Sequence, residues 1–136
     1  MKKAISAILV LVVLFATLPA PIQAAQPNEN SPQYVTAYDA TTRLVIDDAG
    51  NATITVRLFG KSGVTNITVT TYLEQKIGSA WYRARVNPWV YETSNSFCAA
   101  VFNGHVNNSG TYRARSIFTV TGTTTETITV ISESIY

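Results

Sequence analysis

The sequence predicts an all-β protein, an antiparallel β-sandwich of about seven to eight strands. Beyond residue 33, almost every segment alternates polar and apolar residues with a period of two, and Thr, Val, Ile and Tyr dominate. These residues suit a pleated, half-buried surface. Turn-forming residues recur at intervals of about 8–12 residues, the spacing typical of sandwiches. No stretch in this region has a sustained helical period.

In the first half of this region, turn signals such as DDAGN and GKSG separate the alternating segments. The predicted strands are 34–38, 43–46, 52–59 and 66–75. Side chains alternate between the two faces of a strand, so each strand has one set of inward residues. The predicted core residues are Ala52, Ile54, Val56, Leu58, Ile67, Val69 and Leu73.

In the second half, KIGSA, NGHVNNSG and TGTTT are predicted turns. The predicted strands are 81–86, 89–92, 96–102, 111–120 and 126–132. Alternation directs one set of side chains in two of these strands toward the core. This set is Tyr82, Ala84, Val86, Tyr112, Ala114 and Phe118.

The segment NSGTY (108–112) resembles the turn into strand F of immunoglobulin-like domains. There a tyrosine two residues before the second cysteine forms the tyrosine corner. Ala114 takes the place of that cysteine, and Val56, within VRLFG, takes the place of the first. The tryptophan of strand C has no counterpart here, and fibronectin type III domains fit equally well. The resemblance implies an immunoglobulin/fibronectin III-like sandwich, marked by Tyr112 and without a disulfide.

Three further stretches are similar to a family of small secreted β-sandwich proteins of Gram-positive bacteria. They are the hairpin IGSAWYR, the strand SGTYRAR and the closing TETITVISESIY. The similarity covers residues 34–136. The family is uncharacterised, so the resemblance implies fold and secretion and no activity.

The N-terminus has the pattern of a secretory signal peptide. Lys2 and Lys3 precede an apolar run at 4–18, and small residues follow it. The apolar run is short for a membrane span, which needs about 20 residues. We expect a signal peptide at 1–24, in the form of a helix, cleaved after Ala24 or Ala25, with no span after cleavage. A flexible leader at 25–33 and one domain at 34–136 would follow, in a protein that is secreted and soluble.

Charge and cysteine content exclude some classes of function. After removal of the signal peptide, eight basic and eight acidic residues remain, so the net charge is about zero. Proteins that bind nucleic acid carry a clear basic excess, so no nucleic-acid partner is expected. Cys98 is the only cysteine, which excludes an intrachain disulfide. We expect a monomer, with a Cys98-linked dimer as the alternative.

Residues for catalysis or metal binding are scarce. Cys98 and the single histidine, His105, could in principle form a nucleophile–base pair, but no orienting residue accompanies them. The segment 47–51, DDAGN, offers oxygen ligands but lacks the regular spacing of a calcium loop and suits a hairpin turn. We therefore predict no catalytic residue, no metal site and no cofactor.

Arginines and tryptophans form the one candidate binding surface. Tyr-Arg-Ala-Arg occurs twice, at 82–85 and 112–115. Immunoglobulin-like connectivity would place both strands in one sheet, on either side of 66–75, with the arginines on its outer face and Trp89 and Tyr91 near its edge. Trp and Arg are enriched in recognition hot spots. The predicted ligand-binding residues are Trp81, Arg83, Arg85, Trp89, Arg113 and Arg115, with Glu74 on the same face. The alternative is that these charges only keep a solvent face soluble.

Two functions follow from this interpretation. The first is a secreted non-enzymatic protein that binds an extracellular protein or glycan. The second is a secreted bacteriocin-like or toxin-like effector that acts on competitor cells. An enzyme is not expected, because the chain supplies so few catalytic residue types.

Overall fold

Eight β-strands make up the computed structural model, which describes residues 33–107 and 109–136. They are β1 (Ala37–Ile46), β2 (Asn51–Gly60), β3 (Asn66–Ile77), β4 (Ala80–Arg83), β5 (Trp89–Thr93), β6 (Phe97–His105), β7 (Thr111–Thr121) and β8 (Thr125–Ile135). The described residues contain no helix, and so none of the length and hydropathy that a membrane span requires. The predicted all-β class is confirmed.

The strands form two antiparallel sheets. One has the order β1-β2-β6, and the other has the order β4-β3-β7-β8. β5 also pairs with β3, next to β4 along the same side. The predicted arrangement, with the two Tyr-Arg-Ala-Arg segments on either side of strand 66–75, is therefore confirmed.

Both sheets contribute to one hydrophobic core. All seven core residues predicted in β2 and β3 are buried, and so are the three predicted in β7. Val56 and Ala114, which the resemblance to immunoglobulin-like domains matches with two cysteines, are both fully buried. Alternation assigns these faces correctly because each of the three strands has one face on the core and one on solvent.

The first strand differs from the prediction. Segments 34–38 and 43–46 were expected as two strands, but β1 is a single strand with a register shift at Tyr38. Beyond the shift, Ala40, Thr42 and Leu44 alternate inward. The polar residues between the expected strands continue the ladder with β2 and do not form a turn.

The prediction for 81–86 is wrong beyond Arg83. β4 ends there, and Ala84 and Val86 lie in an exposed segment, with Val86 84% exposed. Residues 84–88 stand opposite only residues 72 and 73 of β3, so three extra residues loop out. Tyr82 lies on β4 but is 55% exposed, because β4 is an edge strand.

The boundaries of the other strands differ less from the prediction. β6 extends to His105, so Asn103 and Gly104 belong to a strand and not to the predicted turn. The predicted signal peptide (1–24), its helix and nearly all of the leader (25–33) lie outside the described residues.

Candidate binding surface

The outer face of the larger sheet gathers the candidate residues around β3. Arg83 of β4 and Arg113 of β7 both stand opposite Glu74, on its two sides. Arg115 stands opposite Tyr72. We call this group the arginine–aromatic face; its members are Tyr72, Glu74, Trp81, Arg83, Arg113 and Arg115.

Alternation explains why these side chains point away from the core. In β3, Leu73 is buried in the core, so its neighbours Tyr72 and Glu74 lie on the opposite face. In β7, buried Ala114 likewise turns Arg113 and Arg115 outward. The side chains therefore meet across three adjacent strands.

Glu74 is the centre of the arginine–aromatic face. Its carboxylate accepts a hydrogen bond from Nε of Arg113 at 2.7 Å and another from Nε of Arg115 at 2.9 Å. The residue is only 5% exposed. Burial raises the pKa of Glu74, but the hydrogen bonds and positive charges of the two arginines outweigh this and hold the pKa below its usual value. Glu74 is thus a buried anion that fixes two cations.

Aromatic rings hold the guanidinium groups from the other side. Arg113 lies over the ring of Trp81, with Cζ 4.2 Å from the ring centroid. Arg83 and Arg115 lie over Tyr72 from its two neighbouring strands, at 4.7 and 4.6 Å. These distances are within the range of cation–π attraction. Stacking orients each guanidinium before any partner arrives.

Glu74 uses only one N–H donor of each of the two guanidinium groups that it holds. Both contacts to its carboxylate go through Nε, so the terminal Nη groups of Arg113 and Arg115 are not used by it. Arg83 is exposed and makes no ion pair with a described residue. Lys76 adds a further positive charge near Trp81, 5.9 Å from its ring centroid. The face can therefore present several N–H donors to an anion.

Two predicted site residues lie elsewhere. Trp89 stands opposite Thr71, which is buried in the core, so its ring points inward. It stacks on Phe102 with ring centroids 5.8 Å apart. Arg85 lies over Trp89 at 4.3 Å from its ring centroid. Arg85 was expected on the outer face and Trp89 near its edge, but both lie elsewhere because the 84–88 bulge resets the alternation between β4 and β5.

Tyr112, the predicted fold marker, begins the inward row of β7. It is 2% exposed, and its ring meets that of Tyr136 edge-on, with centroids 6.5 Å apart. It lies next to the arginine–aromatic face in sequence but on the opposite side of the sheet. Tyr112 therefore belongs to the core and not to the binding surface.

Cys98 and His105 do not form a catalytic pair in this fold. They lie on the same strand, seven residues apart, which corresponds to about 23 Å in an extended chain. Cys98 is fully buried, and burial raises the pKa of its thiol to about 11. A disulfide between two copies through Cys98 would require β6 to leave the core.

The DDAGN segment is a hydrogen-bonded turn. Asp47 Oδ1 accepts from the N–H groups of Ala49 and Asn51, and Oδ2 accepts from Asn51 Nδ2. The hydrogen bonds from Asn51 hold the pKa of Asp47 below its usual value. Within residues 33–107 and 109–136, no group of three or more His, Cys, Asp or Glu side chains could hold a metal ion.

Tyr72 is the member of the arginine–aromatic face that the sequence reasoning missed. Its position between Thr71 and Leu73 looks like part of a core strand, and two arginines stack on it. The available signal was the alternation Tyr72, Glu74, Lys76, which places all three on the outer face.

Comparison with protein-family models, with curated proteins and with solved structures finds no match to this chain.

Proposed function

We propose that the chain is a secreted, non-enzymatic binding module whose arginine–aromatic face binds an acidic patch of an extracellular partner protein. Secretion rests on the signal-peptide pattern of residues 1–24. The observation that carries the binding proposal is the fixing of Arg113 and Arg115 by buried Glu74 and by the rings of Trp81 and Tyr72.

The same stacking favours an anion over a neutral sugar. Sugar rings bind proteins by packing on free aromatic faces, but Trp81 and Tyr72 are already covered by guanidinium groups. A guanidinium with free Nη donors matches a carboxylate in geometry and charge. We therefore propose an acidic protein as the binding partner, with an acidic glycan as the second candidate.

If the arginines served only to keep the sheet soluble, they would not need to be fixed by Glu74 and by aromatic rings. Arg43 and Arg57 lie on the outer face of the other sheet, where they are exposed. Neither makes an ion pair or a ring contact with any described residue. Arg43 and Arg57 are therefore typical solvent-facing arginines of a sheet. Arg113 and Arg115, in contrast, are partly buried and contact both Glu74 and an aromatic ring.

We also propose that the domain is an immunoglobulin/fibronectin III-like β-sandwich. In such folds, strands A, B and E share one sheet, and C, F and G share the other. If the first strand is A, the sheets β1-β2-β6 and β3-β7-β8 correspond to these sets. The fourth strand joins the sheet of C, as in variable-type domains. Buried Tyr112 at the start of β7 supports the same assignment.

Binding to defined polyanions tests the proposed function. The purified chain should bind poly-L-glutamate, and increasing salt should weaken the complex, since the contacts are charged. Heparin is the probe for an acidic glycan, and dextran is the neutral control. Equal or tighter binding to heparin would move the proposal from an acidic protein to a glycan.

A pair of variants tests the location. Arg83→Ala should weaken binding to poly-L-glutamate about tenfold, because one oriented donor is lost. Arg43→Ala removes the same charge from the opposite face and should leave the affinity unchanged. Neither change should shift the melting temperature. Equal losses in the two variants would show that only net charge matters and would overturn the assignment.

A growth-inhibition assay addresses the alternative of a toxin-like effector. A binding module should leave lawns of competitor bacteria intact at concentrations that saturate poly-L-glutamate binding. Clearing of the lawn by the purified protein would favour the effector.

A further inference from the structure

β6 is an edge strand without the usual protection against pairing. It ends the three-stranded sheet beyond β2. Its sequence, FCAAVFNGH, is the only one among the eight described strands without Lys, Arg, Asp or Glu, and it contains no proline. Soluble proteins normally place charges, prolines or bulges on such edges, because an open edge can pair with another chain.

The hydrogen-bond pattern shows which backbone groups of β6 are open. Gly60 N–H donates to the carbonyl of Ser96, and Val106 N–H donates to the carbonyl of Gly50. With the register of β2 and β6, these bonds direct the even-numbered residues of β6 toward β2. The residues whose N–H and C=O groups point away from β2 are Phe97, Ala99, Val101, Asn103 and His105. No described residue bonds to them on that side.

Apolar side chains border this edge on both sides. On the outer face of the small sheet, Phe97 is 44% exposed and Val101 is 59% exposed, and Phe97 packs against Phe59 with ring centroids 4.8 Å apart. On the inner side, Tyr91 of β5 points in the same direction as Trp89 yet remains 39% exposed. A strand beside β6 would cover Tyr91, because the small sheet has three strands and the facing sheet has more.

We propose that this edge pairs with β6 of a second copy of the chain, in antiparallel orientation about a two-fold axis. The absence of charge on β6 favours this occupant: two copies meet without like charges, and each offers exposed apolar side chains to the other. The register that uses all five outward residues centres on Val101, which lies opposite its own copy. The product is a continuous six-stranded sheet, β1-β2-β6-β6-β2-β1.

The dimer has a consequence for the proposed function but does not rest on it. An antiparallel pair about this axis keeps each face of the sheet on one side. Both arginine–aromatic faces would therefore lie on the same side of the dimer. Two linked sites raise the effective affinity for a repetitive anionic partner.

Sedimentation measurements test the dimer directly. The full chain, purified as expressed, should sediment as a dimer over a micromolar to sub-millimolar concentration series. Val101→Lys should convert it to a monomer, because it places two like charges side by side on the axis. Val45→Lys is the matched control on the opposite edge strand, where Val45 is 47% exposed, and should remain a dimer.

A cysteine variant tests the register without destabilising the edge. Residues that face each other in a hydrogen-bonded antiparallel pair have Cα atoms about 5.5 Å apart, so a short bifunctional thiol reagent can link two cysteines placed there. Val101→Cys should form a covalent dimer with a short bismaleimide, whereas Val45→Cys should not; native Cys98 is fully buried. A monomer at every concentration, a dimer that survives Val101→Lys, or no covalent dimer of Val101→Cys would each overturn the proposal. Poly-L-glutamate binding by the monomeric Val101→Lys protein reports on the arginine–aromatic face separately.

Discussion

Two buried threonines in this core are in opposite situations. Thr71 Oγ1 and Ser116 Oγ form a hydrogen bond of 2.9 Å between β3 and β7, and both residues are fully buried. Thr42 is 8% exposed, and its Oγ1 has no hydrogen-bond partner among the described residues. A buried hydroxyl without a partner destabilises the folded state, whereas a paired one is nearly neutral.

This difference predicts opposite effects of one substitution. Thr42→Val should raise the free energy of unfolding by about 1 kcal/mol, because it removes the unpaired hydroxyl at nearly constant volume. Thr71→Val should lower it by about 1–2 kcal/mol, because it leaves the Ser116 hydroxyl unpaired in the core. Urea denaturation of both variants measures the two changes. A loss of stability in Thr42→Val would show that its hydroxyl has a partner in solution.

At the residue scale, alternation predicted burial well and partners poorly. Ile54 and Phe118 were assigned to the core from their parity alone, and both are fully buried. The inward position of Trp89 was not predicted, because residues 84–88 form a bulge between β4 and β5. The bulge can be recognised only when both strands are paired with β3, since residues 84–88 then lie opposite only two residues of β3. The stacking of two arginines on Tyr72 also depends on neighbouring strands, which a linear pattern does not specify.

At the scale of elements, Glu74 ties β7 to the centre of the larger sheet. The carboxylate lies on β3, and both arginines that donate to it lie on β7. Because the pKa of Glu74 is lowered in the folded state, ionised Glu74 stabilises the fold at neutral pH. That contribution is present above the ordinary pKa of 4.5 and is lost as the pH falls through the lower folded-state value.

Glu74→Gln should therefore have two effects. At neutral pH it should lower the free energy of unfolding by about 2–3 kcal/mol, since two partly buried arginines lose their anion. The remaining stability should also depend less on pH below 4.5 than that of the wild type. Asp39→Asn, at an exposed position of β1 in the other sheet, changes the net charge equally and is the control. Parallel acid unfolding curves for wild type and Glu74→Gln would contradict this role.

Element prediction succeeded where a strand has one buried and one solvated face. β2, β3 and β7 satisfy this condition, and burial alternates along all three apart from Glu74, which is buried on the outer face of β3. β4 and β5 share one edge of the larger sheet, where no further strand constrains them. The predicted continuation of β4 through Val86 failed because an edge tolerates a bulge that a central strand would not.

At the scale of the whole molecule, the two sheets expose different surfaces. The larger sheet presents the arginine–aromatic face, and the smaller sheet ends at the uncharged edge of β6. The neighbours of β3 were predictable because immunoglobulin-like connectivity places both Tyr-Arg-Ala-Arg segments beside the strand at 66–75. The free edge was not, because any strand without charge is read as a core strand until the sheet order is known.

The account depends most on the location of anion binding, which an NMR titration measures directly. Addition of poly-L-glutamate to the isotope-labelled protein should shift the amide and guanidinium Nε–H resonances of Arg83, Arg113 and Arg115. Resonances of Arg43 and Arg57, on the outer face of the small sheet, should stay in place. Shifts that cluster around Arg43 and Arg57, or that spread equally over both faces, would contradict the proposed binding surface.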